Sequence, residues 1–412
     1  MSMRKIPAAA IWALGATQII GYGTLYYSYS ILALAVATEL RWSPEWVFGI
    51  LSAALLAAAF LAPIAGIWAD RFGAGRLMLF GSLAAAAALL FCAFAPGRVG
   101  FAIGVVAMEL ASCFILYSTA FVAIVQLGGP SSQRRITHLT LVAGFASTLF
   151  WPLTTYLNEY LSWREVLMVF AAMHLMVCLP IHVWIAKLTK RTTVSQGFDP
   201  LEAASGAALP KACGNLPLLS GLMRGGFGFE GWVLPASLAP LVPLTAAIGL
   251  GAAGVFVASL FGPSQVASRL INMLFGQGLS QTWLAFGATT SLATGLVVLL
   301  MTAPSLPGAV AFAILFGLGS GLMSIVGGTL PLELFGRAGY GAFVGWITAA
   351  RQLSAALAPF GFTLLLGRLG VFPALWVVVG MGLLGIVAFA AIQLVKVRSA
   401  RLLQLEPVEF AG

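Results

Sequence analysis

The sequence predicts an all-α membrane protein: twelve transmembrane helices in two pseudo-symmetric six-helix bundles. Three observations lead there. Of the 412 residues, 60% are hydrophobic and only 8% charged, against about 25% charged in an average soluble domain. Such a surface suits a bilayer better than water. The apolar residues fall into twelve stretches of spanning length, and one long polar connection divides those stretches six and six.

In chain order the stretches lie near 9–37, 46–68, 77–95, 100–126, 137–157, 164–186, 216–242, 250–275, 283–303, 307–331, 340–366 and 371–395. Each offers the roughly 20 mostly apolar residues that a crossing helix needs. The N-terminus runs through Arg4-Lys5 into the first stretch without a small-residue cleavage site, so this reads as a span and not a signal peptide. Short polar links follow: Arg41-Trp-Ser-Pro44, Asp70-Arg71, Pro96-Gly-Arg98 and Gly129 to Arg135. The expected organisation is an N-terminal bundle over 1–186, a linker over 187–215, a C-terminal bundle over 216–395 and a tail over 396–412.

Charge sets the orientation. With the N-terminus inside, the inner segments carry 14 of the 21 Lys and Arg, the outer loops carry four (Arg41, Arg98, Arg164, Arg368), and three lie inside helices. The positive-inside rule places both termini in the cytoplasm, in a bacterial-type inner membrane. The net charge of +9 is thus topological, and no nucleic-acid partner is expected. The four cysteines, Cys92, Cys113, Cys178 and Cys213, show neither metal spacing nor a disulfide framework. Prolines suggest an internal repeat of about 200 residues: Pro63, read as closing segment 2, against Pro263, and Pro152 against Pro359. Repeated halves are common in transporters, with substrate bound near the midplane between them.

The link between segments 2 and 3 reads Gly66-Ile-Trp-Ala-Asp70-Arg71-Phe-Gly73-Ala-Gly75-Arg76. It resembles the signature loop of the major facilitator superfamily, Gly-x-x-x-Asp-Arg-x-Gly-x-x-Arg, at Gly66, Asp70, Arg71, Gly73 and Arg76. The resemblance implies that fold over the whole chain, transport by alternating access, and a loop that braces the outward-open state. Gly66 would let helices approach closely, and Asp70 would sit at the positive N-terminal end of helix 11. A narrower resemblance lies in segment 8, Ser259 to Arg269. Monocarboxylate-type members have Gly-x-x-Asp-x-x-x-Arg there. Gly262 and Arg269 match, while Gln265 replaces the titrating Asp. Oxalate–formate exchangers pair the segment 8 Arg with a segment 11 cation, and Arg351 occupies segment 11 here.

Five ionisable residues lie within spans: Glu109, Arg224, Glu230, Arg269 and Arg351. Each costs roughly 3 kcal/mol or more to insert, so each needs a partner or a wet cavity. By family resemblance all five fall on cavity-type helices. Three cations against two acids favour an anionic substrate. Arg269 and Arg351 suit a carboxylate clamp because guanidinium binds carboxylate bidentately and keeps its charge. Glu109 and Glu230 suit proton coupling or ion pairing with a cavity Arg. Arg224 joins them or snorkels to the interface.

Spacing adds further expectations. Gln265 and Arg269 share a helix face, as do Glu109, Cys113 and Tyr117. Gln18, Tyr22, Tyr26 and Tyr29 form a polar aromatic stripe that lines a wet cavity or packs on helix 5, whereas Tyr27 points elsewhere. Gly225, Gly226, Gly228 and Gly231 surround Glu230, marking segment 7 as a gating helix or a tight contact. His174 reads as a core residue, and His138 and His182 as interfacial. The expected substrate contacts are Arg269, Arg351, Gln265, Tyr22, Tyr26, Gln18 and Tyr117.

The function expected is secondary transport of a small organic anion, monocarboxylate-like, by proton symport or anion exchange, by a monomer without metal or cofactor. Efflux of drug-like or toxic compounds, including metalloids through Cys113, is the second reading. An intramembrane enzyme or a receptor is the third. No His-Glu-x-x-His or Walker-type phosphate loop is present to support enzymatic chemistry.

Overall fold

The structure is a computed structural model that describes residues 8–128, 131–195, 216–238, 241–251, 253–276 and 278–405. Most of the linker, with Asp199, Glu202, Lys211 and Cys213, lies outside the described residues, as do Arg4, Lys5 and the end of the tail. Twelve long helices follow one another: α1 Ala8–Glu39, α2 Pro44–Phe72, α3 Ala74–Phe94, α4 Arg98–Leu127, α5 Ser132–Tyr160 and α6, which runs from Trp163 to Ser195. Then come α7 Leu216–Leu238, a short helix Leu241–Ala247, α8 Ala253–Phe275, α9 Gln281–Thr302, α10 Leu306–Phe335, α11 Tyr340–Leu369 and α12 Val371–Leu405.

Ten of these are long and apolar enough to cross a membrane. The other two, α7 and α8, have 23 residues each and are long enough at about 1.5 Å per residue. They fall short in apolarity because α7 carries Arg224, Glu230 and five glycines, and α8 carries Gln265 and Arg269. These two helices hold three of the five interior charges, Arg224, Glu230 and Arg269.

Two apolar cores organise the molecule. One gathers Leu14, Met78, Leu89 and Phe170 from α1–α6. The other gathers Phe227, Phe312, Phe316 and Phe389 from α7–α12. Tyr340 and Val344 at the start of α11 pack into the first core, so the halves meet there.

Several local features differ from the sequence expectation. Pro63 lies inside α2 and does not close it. The repeat has a different register: Gln126 Oε1 accepts the Ala74 N–H at the start of α3 (2.9 Å), and Glu333 Oε2 accepts the Gln281 N–H at the start of α9 (2.5 Å). Both pairs are related by 207 residues, as are Pro152 and Pro359, whereas Pro63 and Pro263 are not. Helix α1 contains a π-turn at Gly23–Tyr27 and α6 another at His174–Cys178. The two are tied by Thr24 Oγ1 and His174 Nε2 at 2.8 Å. His182 is buried and bonded to Ser82 Oγ (2.6 Å), not interfacial.

Candidate functional site

At the end of the bundle that carries the α2–α3 link, here the motif side, two crossings between the halves carry polar side chains. At the first, α2 meets α11. Asp70 accepts the N–H groups of Gly341 and Ala342 at 2.9 and 3.0 Å. A carboxylate at those unpaired donors satisfies both hydrogen bonding and the helix dipole. The glycines make this approach possible. A Cβ on Gly66 would run into the Gly341 carbonyl, and one on Gly345 would come within 2.6 Å of the Ala62 carbonyl. Gly73 ends α2 at φ 92°, a conformation that disfavours side chains. Arg71 and Arg76 are exposed at this end. Sequence reasoning missed Gln126, whose Nε2 donates to the Ala69 carbonyl (2.8 Å) while its Oε1 holds Ala74, so one amide braces the whole link.

At the second crossing, α8 meets α5. Arg269 is buried, 6% exposed. Its Nε donates to Ser324 Oγ on α10 (3.1 Å), and Nη1 donates to the Thr140 carbonyl on α5 (3.1 Å). Gln265, one turn earlier, donates to Ser320 Oγ (2.7 Å), so both side chains face α10 as their spacing predicts.

Between these crossings and the opposite side lies a polar, aromatic region. Arg351 Nε sits 2.9 Å from Glu230 Oε2, with the Glu230 side chain fully buried and that of Arg351 36% exposed. The contact is close, but neither Glu230 oxygen has an aligned hydrogen-bond donor. Gly231 creates the room, since a Cβ there would lie 2.7 Å from the Arg351 carbonyl. Three glycines of α7 are therefore contact points with α11 and α12: Gly226 faces Phe389, Gly228 faces Ser354 and Gly231 faces Arg351.

The N-terminal half supplies the facing wall. Tyr22 and Tyr117 approach to 4.7 Å between ring centroids, and Tyr117 stacks on Phe121 at 5.2 Å. Tyr26 and Tyr27 meet edge-on at 5.4 Å, and Tyr27 meets Trp151 at 6.1 Å. Arg351 lies within electrostatic range of Tyr22, Tyr26 and Tyr117, and Arg269 of Tyr27 and Tyr117. Cations of one half thus face tyrosines of the other. The π-turn changes which tyrosines take part. Its extra residue rotates Tyr27 into the cluster, while Tyr29 turns inward and donates to the Val47 carbonyl (2.7 Å).

Helix α4 is interrupted beside this wall. Leu116 is extended (φ −80°, ψ −169°), so Tyr117 begins a second helical segment and leaves the face of Glu109 and Cys113. The freed Ile115 carbonyl accepts from Gln18 Nε2 (2.7 Å), and Gln18 Oε1 is buried without a donor. Tyr22 lies against the Tyr117 backbone N–H. The N-terminal end of a half-helix next to a cavity favours negative charge.

Two charges stand apart. Glu109 is 3% exposed, receives a long contact from Ser112 Oγ (3.4 Å), and has no cation partner among the described residues. Arg224 donates to Ser220 Oγ (2.6 Å) and lies over the Trp346 ring at 5.4 Å, away from the tyrosine wall. Among the described residues no group of three His, Cys, Asp or Glu is placed to hold a metal ion.

The chain is similar in fold to three solved transporters. The human organic anion transporter MFSD10 (TETRAN) superposes with TM-score 0.72 at 15% identity, over 93% of this chain and all of that one. The proton:xylose symporter XylE gives 0.70 at 12% identity, over 93% and 95% of the two chains. The transporter FucP in its outward conformation gives 0.67 at 14%, over 94% and 98%. No curated protein matches in sequence. The family model of the Major Facilitator Superfamily matches residues 14–359. With the twelve helices, the Asp70 lock and the charged interface between the halves, this match establishes that the chain belongs to the major facilitator superfamily of secondary transporters.

Proposed function

We propose that the protein carries a small organic anion, of monocarboxylate type, together with a proton, and that Arg351 is the seat of the anion. The observation that carries this reading is the Glu230–Arg351 pair: a buried acid against a cation partly open toward a wall of tyrosines. Protonation of Glu230 removes its hold on Arg351. The guanidinium is then free to take a carboxylate bidentately, with Tyr22, Tyr26 and Tyr117 as hydroxyl donors and the α4 half-helix adding positive potential. One proton and one carboxylate enter together, so no net charge crosses the bilayer. Glu109, without a cation partner among the described residues, is the second protonatable site, and Gln18 and Gln265 complete the polar lining.

In this reading the motif side faces the cytoplasm, following the positive-inside bias, and the structure is the outward-facing state. The bundles 1–186 and 216–395 rock as units over the 187–215 linker, in a monomer in the inner membrane. The similarity in fold to an organic anion transporter is consistent with this reading.

The test is uptake of labelled carboxylates into proteoliposomes under an imposed pH gradient. Wild type accumulates the anion and Arg351→Ala does not. Undiminished transport in Arg351→Ala removes the anion seat.

The aromatic wall favours a second reading, proton-linked efflux of flat hydrophobic compounds that stack on Tyr22, Tyr26 and Trp151. Growth protection across a panel of toxic compounds and metalloids separates the two.

A further inference from the structure

Arg269 is the least expected of the interior charges in its surroundings. No carboxylate among the described residues lies within ion-pair distance, yet the guanidinium is buried. Its acceptors are the Ser324 hydroxyl and, at 3.5 Å, the Gly321 carbonyl of its own half, and a backbone carbonyl of the other half, Thr140. The α5 backbone is shaped to receive it. Regular α-helical bonding ends with the Gly144 N–H on the Thr140 carbonyl (3.0 Å), Phe145 N–H turns back to Val142 (3.2 Å), and the last turn of Ser132–Ala143, with Thr140 sharing its carbonyl, lies beside the guanidinium. The carbonyl end of a helical segment favours a cation. Gly144 leaves the space, since a Cβ at that position would strike Arg269 Nη1. A buried cation, an interrupted helix and a missing side chain thus coincide at one point between the halves.

We propose that Arg269 is a positioning residue that clasps α8 to α5 and holds the motif side closed, instead of binding substrate in this conformation. The α2–α11 crossing is built on Asp70 and glycines, and Arg269 supplies a side-chain hydrogen bond from α8 to α5. Opening the motif side pulls Thr140 away and leaves a buried guanidinium short of acceptors, which is costly. The clasp therefore opposes spontaneous opening. Resting on the anion reading above, a carboxylate that arrives from Arg351 would replace the lost carbonyl and ease the transition.

The test needs no substrate. Spin labels on the motif-side ends of α5 and α8, in full-length protein reconstituted in nanodiscs, report the separation of the halves by pulsed electron resonance. Two variants remove the clasp differently: Arg269→Gln removes the charge, and Gly144→Ala keeps the charge but fills its place. A hydrogen bond to a charged group implies a rise in the open-to-closed ratio on the order of tenfold in both. Equal distributions in wild type and both folded variants overturn the proposal. A shift in Arg269→Gln alone overturns it as well, because the effect would then belong to the buried charge and not to the contact. Because the readout is substrate-free, a failure of the anion reading in uptake assays leaves this result standing on its own.

Discussion

Arg351 on α11 reaches Glu230 on α7 at 2.9 Å, and of the two side chains only that of Arg351 is partly exposed. This geometry makes the two residues unequal. Removing the acid leaves a cation with access to water or ligand, while removing the cation strands a buried carboxylate.

The first prediction concerns stability. Loss of one member of a buried pair typically costs about 3–5 kcal/mol, and partial exposure of Arg351 moves the value toward the lower end. Arg351→Ala should lower the melting temperature of detergent-solubilised protein more than Glu230→Gln does. The double variant should recover much of the loss, because no charge is then left unpaired. A double-mutant cycle read by thermal unfolding checks this; additive losses would show that the two side chains are not coupled.

A second prediction separates coupling from binding. Glu230→Gln keeps the shape of the acid and removes its charge, so Arg351 stays free to hold an anion. Exchange of internal for external substrate should persist in this variant, while accumulation driven by a pH gradient should fall roughly tenfold or more. Full gradient-driven accumulation in Glu230→Gln would move the coupling role to another residue, with Glu109 the next candidate.

The motif-side lock gives a third. Asp70→Asn loses two charge-assisted bonds at the start of α11, worth about 1 kcal/mol or more in a helix-capping position. Gly66→Ala places a methyl group against the Gly341 carbonyl and should weaken the same crossing by sterics. Both should raise the reactivity of a cysteine placed at the motif-side end of α2 toward a membrane-impermeant thiol reagent. Unchanged reactivity in both would show that this crossing does not hold the motif side closed.

A fourth prediction follows from the 207-residue register. Gln126 and Glu333 each hold the first turn of the neighbouring helix within their own half, and Lys396 of α12 pairs with Glu333. Gln126→Leu and Glu333→Leu should each destabilise one half, by roughly 1–3 kcal/mol for the buried donors left unmet. Limited proteolysis of each half checks the assignment.

Much of this was legible in the sequence, for identifiable reasons. The lock was readable because Asp70 lies in a dense motif, and the family resemblance of that motif implies its partner, the start of α11. The interior charges were readable because charge is rare in spans. Whether Glu230 pairs with an Arg was left open, since pairing depends on the rotation of α7 against α11 at Gly231. The tyrosine stripe failed at Tyr27 and Tyr29. Four-residue spacing assumes an unbroken α-helix, and the π-turn at Gly23 depends on tertiary partners, His174 against Thr24 and the Phe150 ring in the space that Gly23 leaves. The surroundings of Arg269 were hidden because its acceptor is a backbone carbonyl, which has no sequence signature. Gln126 and Glu333 did carry a signal, polar residues in the last turns of two apolar spans, but the proline spacing drew attention to a different register.

The central claim is that the cavity selects negative charge through Arg351. It is tested most directly by measuring binding of a labelled monocarboxylate and of its neutral amide to purified protein, in wild type and Arg351→Ala. The account predicts saturable carboxylate binding to wild type, little binding of the amide, and a loss of affinity of roughly tenfold or more in Arg351→Ala. Equal binding of acid and amide, or undiminished carboxylate binding without Arg351, would contradict it.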